Sequence, residues 1–158
     1  MPLPDHGVLM ALDLGTARVG VAACDSGRVL AYPVEVIPAS VCLPERVKAL
    51  IDEYGAVALI IGNPLTLDGN KGIAATKIAD QARTLALQVG VPIWLVDERM
   101  TSAQAHKLLR ETGRNAKTAR GVVDAQAAVG ILESVLHALE NGRPIGQELK
   151  TEDANGRP

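Results

Sequence analysis

The stretch AVALIIG, residues 56 to 62, runs seven residues without one polar side chain. It is too short to cross a membrane, follows Gly55 and breaks at Gly62-Asn63-Pro64, so it reads as a strand buried on both faces. Strands of that kind need cover above and below, which helices provide. The flanking segments fit. LPERVKALIDEY, 43 to 54, carries Val47, Leu50 and Ile51 at helical spacing before Gly55. IAATKIADQARTLALQV, 73 to 89, is amphipathic and closed by Gly90. VPIWLVDER, 91 to 99, then repeats the buried-strand pattern with its acids at the carboxyl end. Two strands joined through a helix run parallel.

The amino-terminal third differs. VLMALDL (8 to 14), RVGVAACD (18 to 25) and RVLAYPVEVI (28 to 37) follow one another through short turns, as an antiparallel meander does. Pro33 predicts an edge position or a bulge for the third strand. After residue 100, TSAQAHKLLRET opens with a Thr-x-x-Gln capping box and ends at Gly113. VVDAQAAVGILESVLHALENG, 122 to 142, reads as a long last helix, and ETGRNAKTARG before it as a basic loop. The expected fold is α/β, a mixed five-stranded sheet flanked by helices. One domain spans residues 1–145, with a polar tail over 146–158. With no Phe, one Trp and two Tyr, the core must be aliphatic. Cys24, in an apolar strand, is expected to be a buried reduced thiol. MPLPDHG has neither a basic n-region nor an apolar h-region, so the expected location is cytoplasmic, with no membrane partner.

Against that background one residue is out of place. Asp13 lies inside ALDLG, where a carboxylate is costly to desolvate unless paired or holding a cation. Ligands of α/β sheets gather at the carboxyl ends of parallel strands, and Asp13 shares that edge with Asp97 and Glu98. Neighbours on a strand point to opposite faces, so only one of the pair can share a pocket with Asp13. Asp124, expected in the first turn of the last helix, is the third acid. Ala125, Ala127, Ala128 and Gly130 would let that helix lie close to the sheet. Taken singly, each acid has a plain structural use: binding turn amides, capping a helix or offsetting its dipole. Together they would repel one another unless cations neutralised them. Oxygen ligands favour Mg²⁺ or Mn²⁺, and His6, His106 and His137 have no zinc-ligand spacing. Two such ions in one pocket is phosphodiester-hydrolysing chemistry.

The charge pattern suits a nucleic-acid partner. The net charge of −2 excludes coating by bulk charge, but Arg99, Lys107, Arg110, Arg114, Lys117 and Arg120 cluster against Glu111 alone. Scarce aromatics argue against base stacking and for backbone recognition. Gly15, Asn63 of GNPLTLDG and the amides near Lys71 would line the same rim.

The motifs ALDLGTARVGVA, IIGNPLTLDG, VDERMTSAQA and VDAQAAVGIL, in this order over residues 7 to 142, resemble the YqgF/RuvX family, described as Holliday-junction resolvases or pre-16S ribosomal RNA nucleases. The resemblance implies an RNase H-like fold and an acidic metal-binding triad: Asp13, Glu98 of D-E-R and Asp124. It also implies that Arg18 and Arg99 bind phosphate or hold the pocket. The family usually has G-L-P where this chain has Gly62-Asn63-Pro64, and often T-T at Thr101-Ser102; both departures bear on loop contacts rather than on the triad.

Two other classes use similar features. D-L-G-T also resembles the first phosphate loop of actin-like kinases, but those clamp a nucleotide between two related domains and this chain has length for one. A non-catalytic nucleic-acid scaffold would be favoured if the acids failed to converge. Oligomeric state follows substrate: a symmetric four-way junction calls for two sites on a two-fold axis, hence a homodimer, whereas RNA trimming needs only a monomer.

Overall fold

The computed structural model describes residues 3–14, 18–63, 73–97 and 116–149, with only the backbone at 63, 73–76, 97 and 116–124. The meander forms as its alternation predicts: β1 (Val8–Leu14), β2 (Arg18–Cys24) and β3 (Ala31–Pro38) pair antiparallel. Then come α1 (Leu43–Tyr54), β4 (Ala56–Asn63), α2 (Ile73–Val89), β5 (Ile93–Asp97), a long helix α3 (Ala116–Glu140) and β6 (Gln147–Glu148). The sheet order is β3-β2-β1-β4-β5-β6, with β1, β4 and β5 parallel.

Alternation along the central strands sorts the core into two layers. Met10, Leu12 and Leu14 pack with Leu59, Ile61 and Ile93 against Val47, Leu50 and Ile51 of α1 and Ile78, Ala82 and Leu85 of α2. Leu9 and Ala11 pack on the opposite face with Ala22, Cys24, Ala58, Ile60 and Val96, under Ala128, Val129, Ile131, Leu132 and Val135 of α3. Each fully buried Leu or Ile contributes about 1.5–3 kcal/mol, so this aliphatic sandwich dominates stability. α1 carries Pro44 in its first turn, where the fixed φ suits a helix, and stops where Gly55 turns left-handed (φ 67°) and donates its N–H to the Ile51 carbonyl. Cys24 is buried as a free thiol; Cys42 is exposed. Burial pushes the Cys24 thiol above its ordinary range.

Pro33 has both predicted effects. β3 is an edge strand, and the β2–β3 register slips between Val21 and Ala22, which pair with Glu35 and Pro33 and leave Val34 unopposed. On the outer side, Arg46 of α1 donates to both Glu35 carboxylate oxygens (2.7 and 2.5 Å), holding α1 to the edge.

Three expectations need correction. The sheet has six strands, not five: Gln147 and Glu148, in the stretch read as tail, pair antiparallel with Leu95 and Trp94. They can do so because Gly146 has no side chain; a Cβ there would lie 2.2 Å from the Leu95 carbonyl oxygen. The last helix starts at Ala116 rather than 122, so Lys117 and Arg120 stand on helix, not in a loop. Asp124 is consequently in the third turn of α3, too far along to serve the helix dipole. The helix expected over 101–112 lies outside the described residues. Among the described residues, no helix is long and apolar enough to cross a membrane.

Candidate active site

The carboxyl ends of β1, β4 and β5 form one rim. Leu12 pairs with Ile61 and Asn63 with Asp97, so Asp13, Asn63 and Asp97 end three adjacent parallel strands at nearly one level. Asp13 follows Leu9 and Ala11 in the alternation and therefore faces α3. It is half-buried and engaged by at least one polar or charged partner.

Its neighbours on that face are glycines. Gly20 of β2 is its register partner and belongs to the series of Ala22 and Cys24, which face α3. Gly62 of β4 follows Ile61, the neighbour of Leu12, and belongs to the series of Ala58 and Ile60. The positions directly level with Asp13 on the two adjacent strands are therefore both glycine. Sequence reasoning left both glycines unused as site determinants; the signal was there, since a glycine inside a strand marks close approach of something else. Arg18 is two residues from Gly20 on the same face, half-buried and engaged, a diagonal neighbour of Asp13.

α3 approaches this rim from above. Leu136, Leu139 and Glu140 line a cavity with Asp5, which precedes β1, so the helix ends over the amino edge of the sheet and runs antiparallel to β1. Its amino-terminal half, bearing Asp124, therefore points toward the carboxyl edge. Gly15, Lys71, Glu98, Arg99, Lys107, Arg110 and Arg114 lie outside the described residues. Among the described residues, no three His, Cys, Asp or Glu side chains form a metal-sized group. Of the described histidines, His6 precedes β1 and His137 is near the end of α3, both at the amino edge. The donor at the carboxyl edge is an oxygen donor, which fits a hard divalent cation rather than zinc.

Residues 7–138 match the RuvX family, described as Holliday junction resolvase. The chain belongs to the RuvX family. Similar curated proteins carry the name "Putative pre-16S rRNA nuclease". One from Cutibacterium acnes is 42% identical over 138 residues, covering 87% of this chain and 86% of that protein. One from Streptomyces coelicolor is 39% identical over 150 residues, covering 92% and 90%. Among solved structures, T. thermophilus RuvC in complex with Holliday junction substrate superposes with a TM-score of 0.55 at 14% identity, over 90% of this chain and 100% of that one. That likeness establishes the fold, which in this RuvX chain is RNase H-like, with the mixed sheet derived above.

Proposed function

We propose that this RuvX protein is a metal-dependent nuclease that hydrolyses phosphodiester bonds of structured nucleic acid. Its two candidate substrates are the 5′ end of precursor 16S rRNA and the four-way DNA junction. The observation that carries the reading is Asp13: a half-buried carboxylate at the carboxyl rim, on the α3 face, between two glycines.

Asp13, Glu98 and Asp124 are the residues we assign to Mg²⁺ or Mn²⁺, two ions that when bound activate a water and stabilise the leaving oxygen. Glu98 is preferred over Asp97 because Trp94 and Val96 pack on the α3 side, and the same alternation carried one step past β5 would bring residue 98 to that side. Asp124 fits by helical spacing and by length. Position 124 falls on the row of Ala128, Ile131 and Val135, all buried against the sheet. From Glu133, at the amino-edge cavity, to position 124 the helix advances roughly 13.5 Å. From Leu9 to Asp13 the strand advances roughly 13 Å the same way. Arg18, on the Asp13 face, would attract the phosphate, as would Arg99 and the basic run through Arg120. Gly15, Asn63 and the amides near Lys71 would complete the rim. Cytoplasmic location and a homodimer on four-way junctions belong to the same reading.

The test compares 5′-extended 16S precursor, four-way junction and linear duplex with Mg²⁺ or Mn²⁺, using wild type and Asp13→Asn. The substitution keeps the side-chain size and removes one charge. Cleavage should fall by about 10³-fold or more while nucleic-acid binding is retained. Wild-type cleavage by Asp13→Asn would refute the mechanism. Cleavage of one substrate alone would assign it.

A further inference from the structure

At the opposite edge of the sheet lies a cavity of about 570 Å³, between the β2–β3 turn, Asp5 and the last turns of α3. The turn is held rigidly. The Asp25 carboxylate accepts from the backbone N–H of Val29 (2.9 Å) and Leu30 (2.7 Å). Arg28 adopts a left-handed backbone, φ 59°, uncommon for a residue with a side chain. Its Nε donates to the Gly7 carbonyl (3.0 Å), while the Gly7 N–H donates to the Ser26 carbonyl (3.2 Å). This bracing presents Val29, 84% exposed, and Leu30, 65% exposed, to solvent. An apolar pair fixed in advance loses little entropy when covered.

The cavity beside it has an apolar floor and an acidic rim. Leu136 and Leu139 are half-buried on its floor, and Asp5, Glu133 and Glu140 are exposed at its rim. Among the described lining residues Arg28 alone carries a fixed positive charge, so these residues are net acidic. Phosphate is repelled by such a rim. A protein segment with lysines or arginines around one or two large aliphatic side chains matches both the floor and the charge.

We infer that this groove docks a basic, aliphatic-anchored segment of a protein partner. It lies on the far side of the sheet from the carboxyl rim: from Val8 to Asp13 alone β1 advances roughly 17 Å. A partner bound there would leave the Asp13 rim open to nucleic acid.

The probe is a fluorescein-labelled 12-residue peptide of alternating Lys and Leu pairs, with a Glu-for-Lys counterpart, titrated by anisotropy against the full chain. The Lys peptide should bind, more weakly at higher salt, and the Glu peptide should not. Val29→Ser with Leu30→Ser should weaken binding about tenfold, since both side chains become covered. Glu133→Gln with Glu140→Gln should weaken it and flatten the salt dependence. All four residues are exposed, and circular dichroism should confirm that both variants keep their fold. Saturating duplex RNA should not displace the peptide. Equal affinity of wild type and both variants would overturn the inference. So would displacement by RNA, or a dimer in sedimentation that Leu30→Ser dissociates, which would make a second copy the occupant.

Discussion

Shortening Glu98 by one methylene, Glu98→Asp, tests the strand geometry itself. β1 and β5 are separated only by β4, so their carboxyl ends are two strand spacings apart, about 9.6 Å. Aspartate at 13 and glutamate at 98 must close most of that distance if they are to share ions about 3.5–4 Å apart. The longer side chain of the two is the one that follows β5 in sequence, where the extra reach is needed. Glu98→Asp withdraws its carboxylate by roughly 1 Å, a misplacement that costs about 10²-fold in an oriented site. That is about 2.7 kcal/mol of transition-state stabilisation. The assay is single-turnover cleavage of the preferred substrate with Mg²⁺, with Asp97→Asn measured alongside. Glu98→Asp should slow cleavage about a hundredfold and Asp97→Asn by less than threefold. Near-normal Glu98→Asp activity together with an inactive Asp97→Asn would refute the reasoning, since the acid at the end of β5 would then be the functional one.

Replacing Arg110, Arg114 and Lys117 with Ala should weaken nucleic-acid binding across sequences and reduce its salt slope by about one unit per lost phosphate contact, measured by anisotropy against salt. Saturated turnover should change little. Leu132→Ala, in the core beneath α3, should cost about 3 kcal/mol in urea unfolding, because Leu132 is fully buried and a cavity remains. Glu35→Gln should show the pH dependence of the β3–α1 link. Hydrogen bonds from Arg46 hold the Glu35 carboxyl below its ordinary value of 4.5. Its contribution is therefore present above pH 4.5 and lost as pH falls through the lowered value. Denaturation midpoints of wild type and Glu35→Gln should differ at pH 7 and converge as the pH falls below the lowered value.

The parts of the fold visible in the sequence are those where apolar pattern alone decides. AVALIIG and the Val47–Leu50–Ile51 spacing had one interpretation each, and the structure has a strand and a helix there. The start of α3 was hidden because Gly121 reads as a break. In the folded chain the helix passes through it, with good helix formers Ala116, Lys117, Ala119 and Arg120 before it. β6 was hidden because Gln147 and Glu148 carry no alternation. Their pairing rests on the close approach at Gly146 and on the Leu149 N–H donating to the Ile93 carbonyl (2.8 Å), both tertiary facts. Asp13 was legible as a charge out of place. That it faces α3 between Gly20 and Gly62 required the register, because only pairing tells which glycines are its neighbours.

The two ends of the sheet also determine how this protein meets other copies of itself when crowded. An open strand edge is a template for intermolecular pairing, and both edges here are poor templates. On one side Pro33 removes a donor and the unopposed Val34 disrupts the ladder; on the other, β6 is only two residues long. The segment best suited to cross-β stacking, AVALII, occupies β4 between β1 and β5, with a helical layer on each face. Native molecules are thus shielded from fibril growth by the sheet order itself. The hazard is confined to chains still emerging from synthesis or recovering from heat, before β1 and β5 have closed over β4.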